Sequence, residues 1–181
     1  MGRGADYFQP QTSIGAAAHG ADHIAHGLGA GSSLVHHLAS IIHAALPWLS
    51  FPSRAVIDAL LLTGGSIGTS ELVANRLGLT TRFGLARMLR QDGLPPLHSL
   101  SGYITVLRWV WQWEQERTAL SRSALREGRE PAACYRLVER VTGAPWTSAC
   151  ASGVRWVLSR LLEECERPVG ALRVESEMAI A

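Results

Sequence analysis

The sequence predicts an all-α fold. Apolar residues recur at helical spacing almost without interruption after residue 33, glycines and prolines stop each run after a few turns, and no alternating apolar–polar stretch of useful length appears. At 181 residues, 47% hydrophobic and 18% charged, the chain has the size of one ordinary domain plus ends. That apolar fraction is enough for a packed core and excludes a wholly disordered chain.

Leu34, Leu38, Ile41, Ile42 and Ala45 form the first apolar stripe, and Pro47 ends it, so residues 34–53 read as an N-terminal helix and its connection. A second helix starts near Pro52, carries Val56, Ala59, Leu60 and Leu62, and stops at Gly64-Gly65. The third starts at Thr69 or Ser70 as N-cap with Glu71 in its first turn, buries Leu72, Val73 and Leu77, and ends at Gly78. Thr80 or Thr81 caps a fourth, through about Gln91, which buries Leu85, Met88 and Leu89. A long fifth helix runs from about Ser99 to Glu116 with Leu100, Tyr103, Ile104, Leu107, Val110 and Trp111 on one broad face. Shorter helices follow at about 121–126 and 131–141. A C-terminal amphipathic helix at 151–167 holds Val154, Val157, Leu158, Leu161 and Leu162, and an acidic tail covers 168–181.

The start, residues 1–33, is rich in Gly and Ala and reads as a disordered tail, because it cannot bury enough surface to offset its ordering entropy. His19, His23 and His26 would share one face of a helix and could ligate a metal there, but Gly20 and Gly27 weaken that helix, so no metal site is expected. Cys134, Cys150 and Cys165 show no C-x-x-C spacing, which argues against a disulfide framework or a four-cysteine zinc site and fits a reducing, cytoplasmic location. No secretory signal is expected. The longest apolar stretch, Leu34 to Phe51, is broken by three histidines and a proline and is not expected to cross a membrane.

All 17 basic residues are arginine. They are unevenly placed: residues 1–53 carry a net charge of −1, residues 54–160 of +6, and residues 161–181 of −3. An anionic partner would be drawn to the middle of the chain.

The same middle contains a repeat at a spacing of fifty residues. Ala74 matches Ala124, Gly78 matches Gly128, Gly93 matches Gly143 and Pro95 matches Pro145. Each copy reads as a short helix, a glycine turn, a second helix and a glycine-proline stop. A small residue four before the glycine lets two helices cross closely, and the glycine turns the chain sharply. The second helix can then enter a major groove while the first crosses the backbone.

Residues 54–150 resemble the double helix-turn-helix DNA-binding domain of AraC/XylS-type bacterial transcription regulators. That family has Leu-x-Arg-x-Phe in its first recognition helix and then Gly-x-x-Pro. Here the first unit reads Leu85-Ala86-Arg87-Met88-Leu89, then Gly93-Leu94-Pro95-Pro96, and the second reads Cys134-Tyr135-Arg136-Leu137-Val138, then Gly143-Ala144-Pro145-Trp146. The departures are Glu127-Gly128-Arg129 without the family's aromatic, a polar Ser121-Arg122-Ser123, a first turn longer by one residue, and Trp109, Trp111 and Trp113 in the linker.

The resemblance implies two homeodomain-like helix-turn-helix subdomains joined by a long linker helix, and a transcription regulator that reads two adjacent major-groove segments of double-stranded DNA. It implies a DNA-binding set of Thr81, Arg82, Arg87 and Arg90 in the first unit and Arg129, Arg136 and Arg140 in the second. Arg82 and Arg129, as the earliest in their helices, are expected to read bases, Arg87 to contact phosphate or make a structural hydrogen bond, and the arginines further along to meet phosphate. Trp109 and Trp113 are expected to fill core, or a partner surface if exposed. The alternative is a helical protein-interaction module that has lost DNA binding, suggested by the tryptophan-rich linker, the altered second turn, Glu130 and Glu139.

A homodimer is left open. Residues 1–50 are too short for the cupin-like sensor many such regulators carry, so no small-molecule effector site is expected. No enzyme is expected either: Ser-x-x-Lys is impossible without lysine, no His-Glu-x-x-His or phosphate loop occurs, and no nucleophile-elbow serine or cofactor is expected. Cys134 reads as a core thiol, and Glu163, Glu164 and Glu166 as a solvated run.

Overall fold

The computed structural model describes residues 34–165, and every regular element among them is a helix. In chain order these are α1 (34–45), α2 (Phe51–Leu62), α3 (Ser70–Arg76), α4 (Arg82–Gln91), α5 (Leu97–Glu116), α6 (Leu120–Arg126), α7 (Pro131–Thr142) and α8 (Trp146–Glu163). The described part is all-α. The tails at 1–33 and 168–181, with His19, His23, His26 and Glu166, lie outside the described residues.

The body that begins at Leu38 is organised around α5. Every residue from Gly102 to Leu107 is buried, so this stretch has no solvent face. A helix enclosed on all sides is a core element and not a surface connector, and α2, α6, α7 and α8 all pack on it. The single broad face expected from the sequence understates this burial. The helix also starts earlier than expected, at Leu97, behind the Pro95-Pro96 pair.

Around α5 the apolar stripes sit close to the expected register, with slips at their edges. Leu38, Ile42 and Leu46 are buried at four-residue intervals, whereas Ala45 is exposed. In α2 the buried face is Val56, Ile57, Leu60 and Leu61. Leu62 falls one helical step, about 100°, beyond that face and is 73% exposed. In α3, Val73 and Ala74 are buried and Leu72 is exposed. Ile42, Leu46, Ile57, Leu60, Leu100 and Leu161 close on one another, joining α1, α2, α5 and α8 into one apolar core.

Polar bonds fix the connections. Arg54 donates from Nε to the Leu49 carbonyl at 3.1 Å and from Nη2 to the Pro47 carbonyl at 2.7 Å, which locks the α1–α2 corner. That corner is tied to the end of α4: Trp48 Nε1 donates to the Asp92 carbonyl at 3.2 Å, and the Ser50 amide donates to Asp92 Oδ2 at 3.0 Å. The C-terminal helix differs from expectation. It begins at Trp146, not near 151, and ends at Glu163, so the boundary drawn at 150 falls inside its first limb. It bends at Gly153, and the Val154 amide freed by the bend donates to Glu114 Oε1 at 2.8 Å. At the far end of α8, Tyr103 Oη donates to Glu164 Oε1 at 2.8 Å.

Two predictions follow from this packing. Gly65 has φ +90, and a Cβ there would stand 2.2 Å from Thr105 Oγ1 and 2.6 Å from the Ser101 carbonyl oxygen. Gly65→Ala therefore combines backbone strain with overpacking and should lower unfolding stability by about 2–4 kcal/mol in urea titrations. Burial, and then the bond to Glu164, raise the Tyr103 phenol above its ordinary pKa of 10.0. The neutral phenol is favoured in the folded state, so its contribution is complete below pH 10 and is lost as the pH climbs above it. Tyr103→Phe should cost about 1 kcal/mol at pH 8 and shrink the fall in stability on the alkaline side, as followed by unfolding at a series of pH values.

Candidate nucleic-acid interface

The two copies of the repeat form two helical hairpins with the same turn. In the first, α3 packs on α4, and in the second α6 packs on α7. Ala74 and Ala124 are both fully buried at the crossings. Gly78 and Gly128 take φ of +71 and +65, a conformation that side chains rarely adopt. The amide after each glycine returns to the matching alanine: Leu79 to the Ala74 carbonyl at 2.9 Å, and Arg129 to the Ala124 carbonyl at 2.8 Å. Gly78 and Gly128 bond to the carbonyls of Asn75 and Leu125, both at 3.1 Å. This paired closure satisfies carbonyls that the helix end would otherwise strand.

Past the turns the copies diverge. The first hairpin spends one more residue before its second helix, so Thr81 caps α4 and accepts from the Gly84 amide at 3.2 Å. In the second, Pro131 opens α7 behind Glu130, and no side chain caps it. The buried pairs are Leu85 with Leu89 and Cys134 with Val138, which offsets the two helices by one position and matches Arg87 with Arg136.

The outer face of α4 is basic. Arg82, Phe83, Ala86, Arg87 and Arg90 are all exposed and fall on one side of the helix over about 12 Å. No acidic residue lies in α4, and none of its three arginines forms an ion pair among the described residues. Arg82 lies over the Phe83 ring at 5.1 Å, and that ring is 69% exposed. The outer face of α7 is close to neutral. Arg136 and Arg140 are exposed there with Glu139, and Arg136 Nη2 bonds Glu130 Oε2 at 3.1 Å.

Arg129 is not where the sequence reading puts it. It lies in the turn, two residues before α7, because Pro131 and not the arginine starts the helix. Its guanidinium covers the Trp109 ring at 5.7 Å, pairs through Nε with Glu127 Oε2 at 3.3 Å, and reaches Ser66 Oγ at 3.4 Å. Glu127 also accepts on Oε1 from Arg108 Nη2 at 2.7 Å and from Trp109 Nε1 at 2.9 Å. Trp109 is thus core, with its polar edge satisfied by a carboxylate. Trp113 is half-buried in an edge-on contact with Trp146 at 6.4 Å. Burial takes Trp109 out of any partner surface.

One serine motif escapes the sequence reading. Gly64-Gly65-Ser66-Ile67-Gly68 spells Gly-x-Ser-x-Gly. It joins helix to helix, whereas a nucleophile elbow joins strand to helix, and the described partner of the Ser66 hydroxyl is Arg129, not a histidine. The thiols are also poor nucleophiles. Burial raises Cys134 above its ordinary value and pushes Cys150 up to about 12 and Cys165 up to about 11. Cys134 is buried as expected. Glu163 pairs with Arg160 at 2.7 Å. Among the described residues no His, Cys, Asp and Glu group is arranged to hold a metal, and no helix is long and apolar enough to cross a membrane.

Glu127 should matter far more than Glu130. Glu127→Ala leaves Arg108 and Trp109 donors without their acceptor in a partly buried place and should cost about 2–3 kcal/mol. Glu130→Ala removes only an exposed pair and should change stability by about 0.5 kcal/mol or less in the same denaturation assay.

No protein-family model matches this chain, and no curated protein or solved structure matches it.

Proposed function

We propose that this chain is a sequence-specific DNA-binding transcription regulator. The reading treats α3–α4 and α6–α7 as two helix-turn-helix units held by α5, with α4 as the principal reader. The observation that carries it is the acid-free arginine face of α4, held behind a glycine turn that recurs with the same bonding fifty residues on. A helix whose three exposed arginines form no ion pair among the described residues matches the electrostatic footprint of a duplex.

Roles follow from position. Arg82 stands in the first turn of α4, where a guanidinium can fork onto guanine O6 and N7. Arg87 and Arg90 lie further along and meet phosphate, which supplies affinity without sequence choice. The Thr81 oxygen accepts from the Gly84 amide, so its hydroxyl proton remains to be donated to a phosphate oxygen. In the second unit Arg136 and Arg140 contact the backbone more weakly, since Glu130 and Glu139 share that surface. Arg129 is assigned no base contact. Such a protein would work in the cytoplasm on double-stranded DNA, alone or as a homodimer, with no catalytic step.

The second reading, a helical interaction module, draws on the near-neutral face of α7. Anisotropy of a labelled duplex with the full chain separates the two. Under the DNA reading, the logarithm of affinity falls linearly with the logarithm of salt, by about 0.9 per phosphate neutralised. Arg90→Ala should weaken all duplexes alike and reduce that slope by about one. Arg82→Ala should lower preference for a selected duplex by about 1–3 kcal/mol. Absent or salt-insensitive binding would overturn the reading and leave the interaction module.

A further inference from the structure

A cleft of about 470 Å³ opens between the α2–α3 loop, α5 and the α6–α7 turn. It is lined by Thr63, Gly64, Ser66, Arg108, Glu127 and Arg129, with Leu62 at its edge. None of these residues belongs to α4 or α7, so the cleft is separate from the face assigned to DNA. Its volume lies within the range of small-molecule sites, about 300–1,000 Å³.

The charge in the cleft is unbalanced. Two guanidiniums stand beside one carboxylate, and that carboxylate is already engaged by Arg108, Trp109 and Arg129. Donors remain over. The Nε–H of Arg108 is out of solvent and has no acceptor among the described residues. The outer nitrogen of Arg129 reaches Ser66 Oγ only at 3.4 Å, long for a hydrogen bond. The loosely engaged outer nitrogen of Arg129 is the donor that an anion in the cleft would take up. Two further features keep the arginines in place. The Trp109 ring lies under Arg129, and a Cβ at Gly64 would stand 2.6 Å from Arg108 Nε, so only glycine leaves that arginine its position.

We propose that this cleft binds a small phosphate-bearing anion, gripped by Arg108 and Arg129 with help from the Ser66 hydroxyl. Arginine forks match phosphate oxygens in pairs, and the surplus positive charge selects an anion over a neutral ligand. Ser66 lies three residues before the Thr69 cap of α3, and Arg129 lies in the turn of the second hairpin. An anion held between them bridges the two hairpins. The proposal goes beyond the DNA reading and does not depend on it.

The test titrates the full chain with inorganic phosphate, pyrophosphate and ADP at constant ionic strength set with chloride. Tryptophan emission, sensitive to Trp109 beneath Arg129, and heat of binding are the readouts. Saturable binding of at least one of the three is expected, weakened about tenfold or more by Arg129→Gln and by Arg108→Gln. Ser66→Ala, a change at an exposed loop residue, should weaken it a few-fold with the circular dichroism spectrum unchanged, which covers the case in which an arginine variant fails to fold. Arg82→Gln should leave it unaltered. No saturation by about 10 mM of any probe would overturn the proposal. So would affinities unchanged in both Arg129→Gln and Ser66→Ala, or binding lost in Arg82→Gln, which would put the anion on α4. A duplex that displaces the probe from the wild type but not from Arg82→Gln would mark the cleft as a backbone-phosphate contact and end the small-anion proposal.

Discussion

Between Gly102 and Leu107 the central helix meets protein in every direction, and α2, α6, α7 and α8 are arranged around it. Side chains at successive positions of α5 point about 100° apart, so a fully buried stretch needs neighbours all the way round. α2, α6, α7 and α8 supply them. Close approach is bought with small residues: Gly65 against Thr105 and Ser101 on one side, and Gly102 against Val141 and Leu137 on another. The second hairpin is seated on the central helix through Gly102, and the loop that leads into the first is seated through Gly65.

Much of this was legible. Helix order, a cap at Thr69 or Ser70 and another at Thr80 or Thr81, and the stops at Gly64-Gly65, Gly78 and Gly128 follow from residue types whose local physics is strong; the structure selects Thr69 and Thr81. What was not legible is packing on a second side. The run from Gly102 to Leu107 contains glycine, tyrosine and threonine, which dilute its apolar signal and suggest one broad face. Leu62 and Leu72 illustrate the converse. A leucine at the edge of a stripe is counted as core by pattern, yet a single helical step turns it to solvent. The break at Gly153 was hidden for a third reason: the residue that holds it, Glu114, is distant in sequence.

The candidate site divides in the same way. That the α4 arginines lie on an exposed helix face was readable because the buried positions of that helix, Leu85 and Leu89, were readable. Arg129 was grouped with the second recognition helix by the family resemblance, although the local pattern starts that helix at about residue 131 and leaves the arginine in the turn. Pro131, which favours the first turn of a helix, is consistent with that start. The Glu127 cluster left no pattern at all, since its members come from α5, the end of α6 and the turn that follows.

Pro131 also separates the two hairpins in a way the arginine count does not capture. A helix ordinarily offers its first backbone amides to whatever anion lies ahead of it, and its dipole assists. Proline has no amide hydrogen to contribute, and the carboxylate of Glu130 stands at that same entrance. The second hairpin therefore has a missing donor and a carboxylate at the entrance of its second helix, whereas the first has an arginine and no proline there, with the Gly84 amide taken by Thr81. The two hairpins share their turn geometry and differ in the charge at the entrance of the second helix.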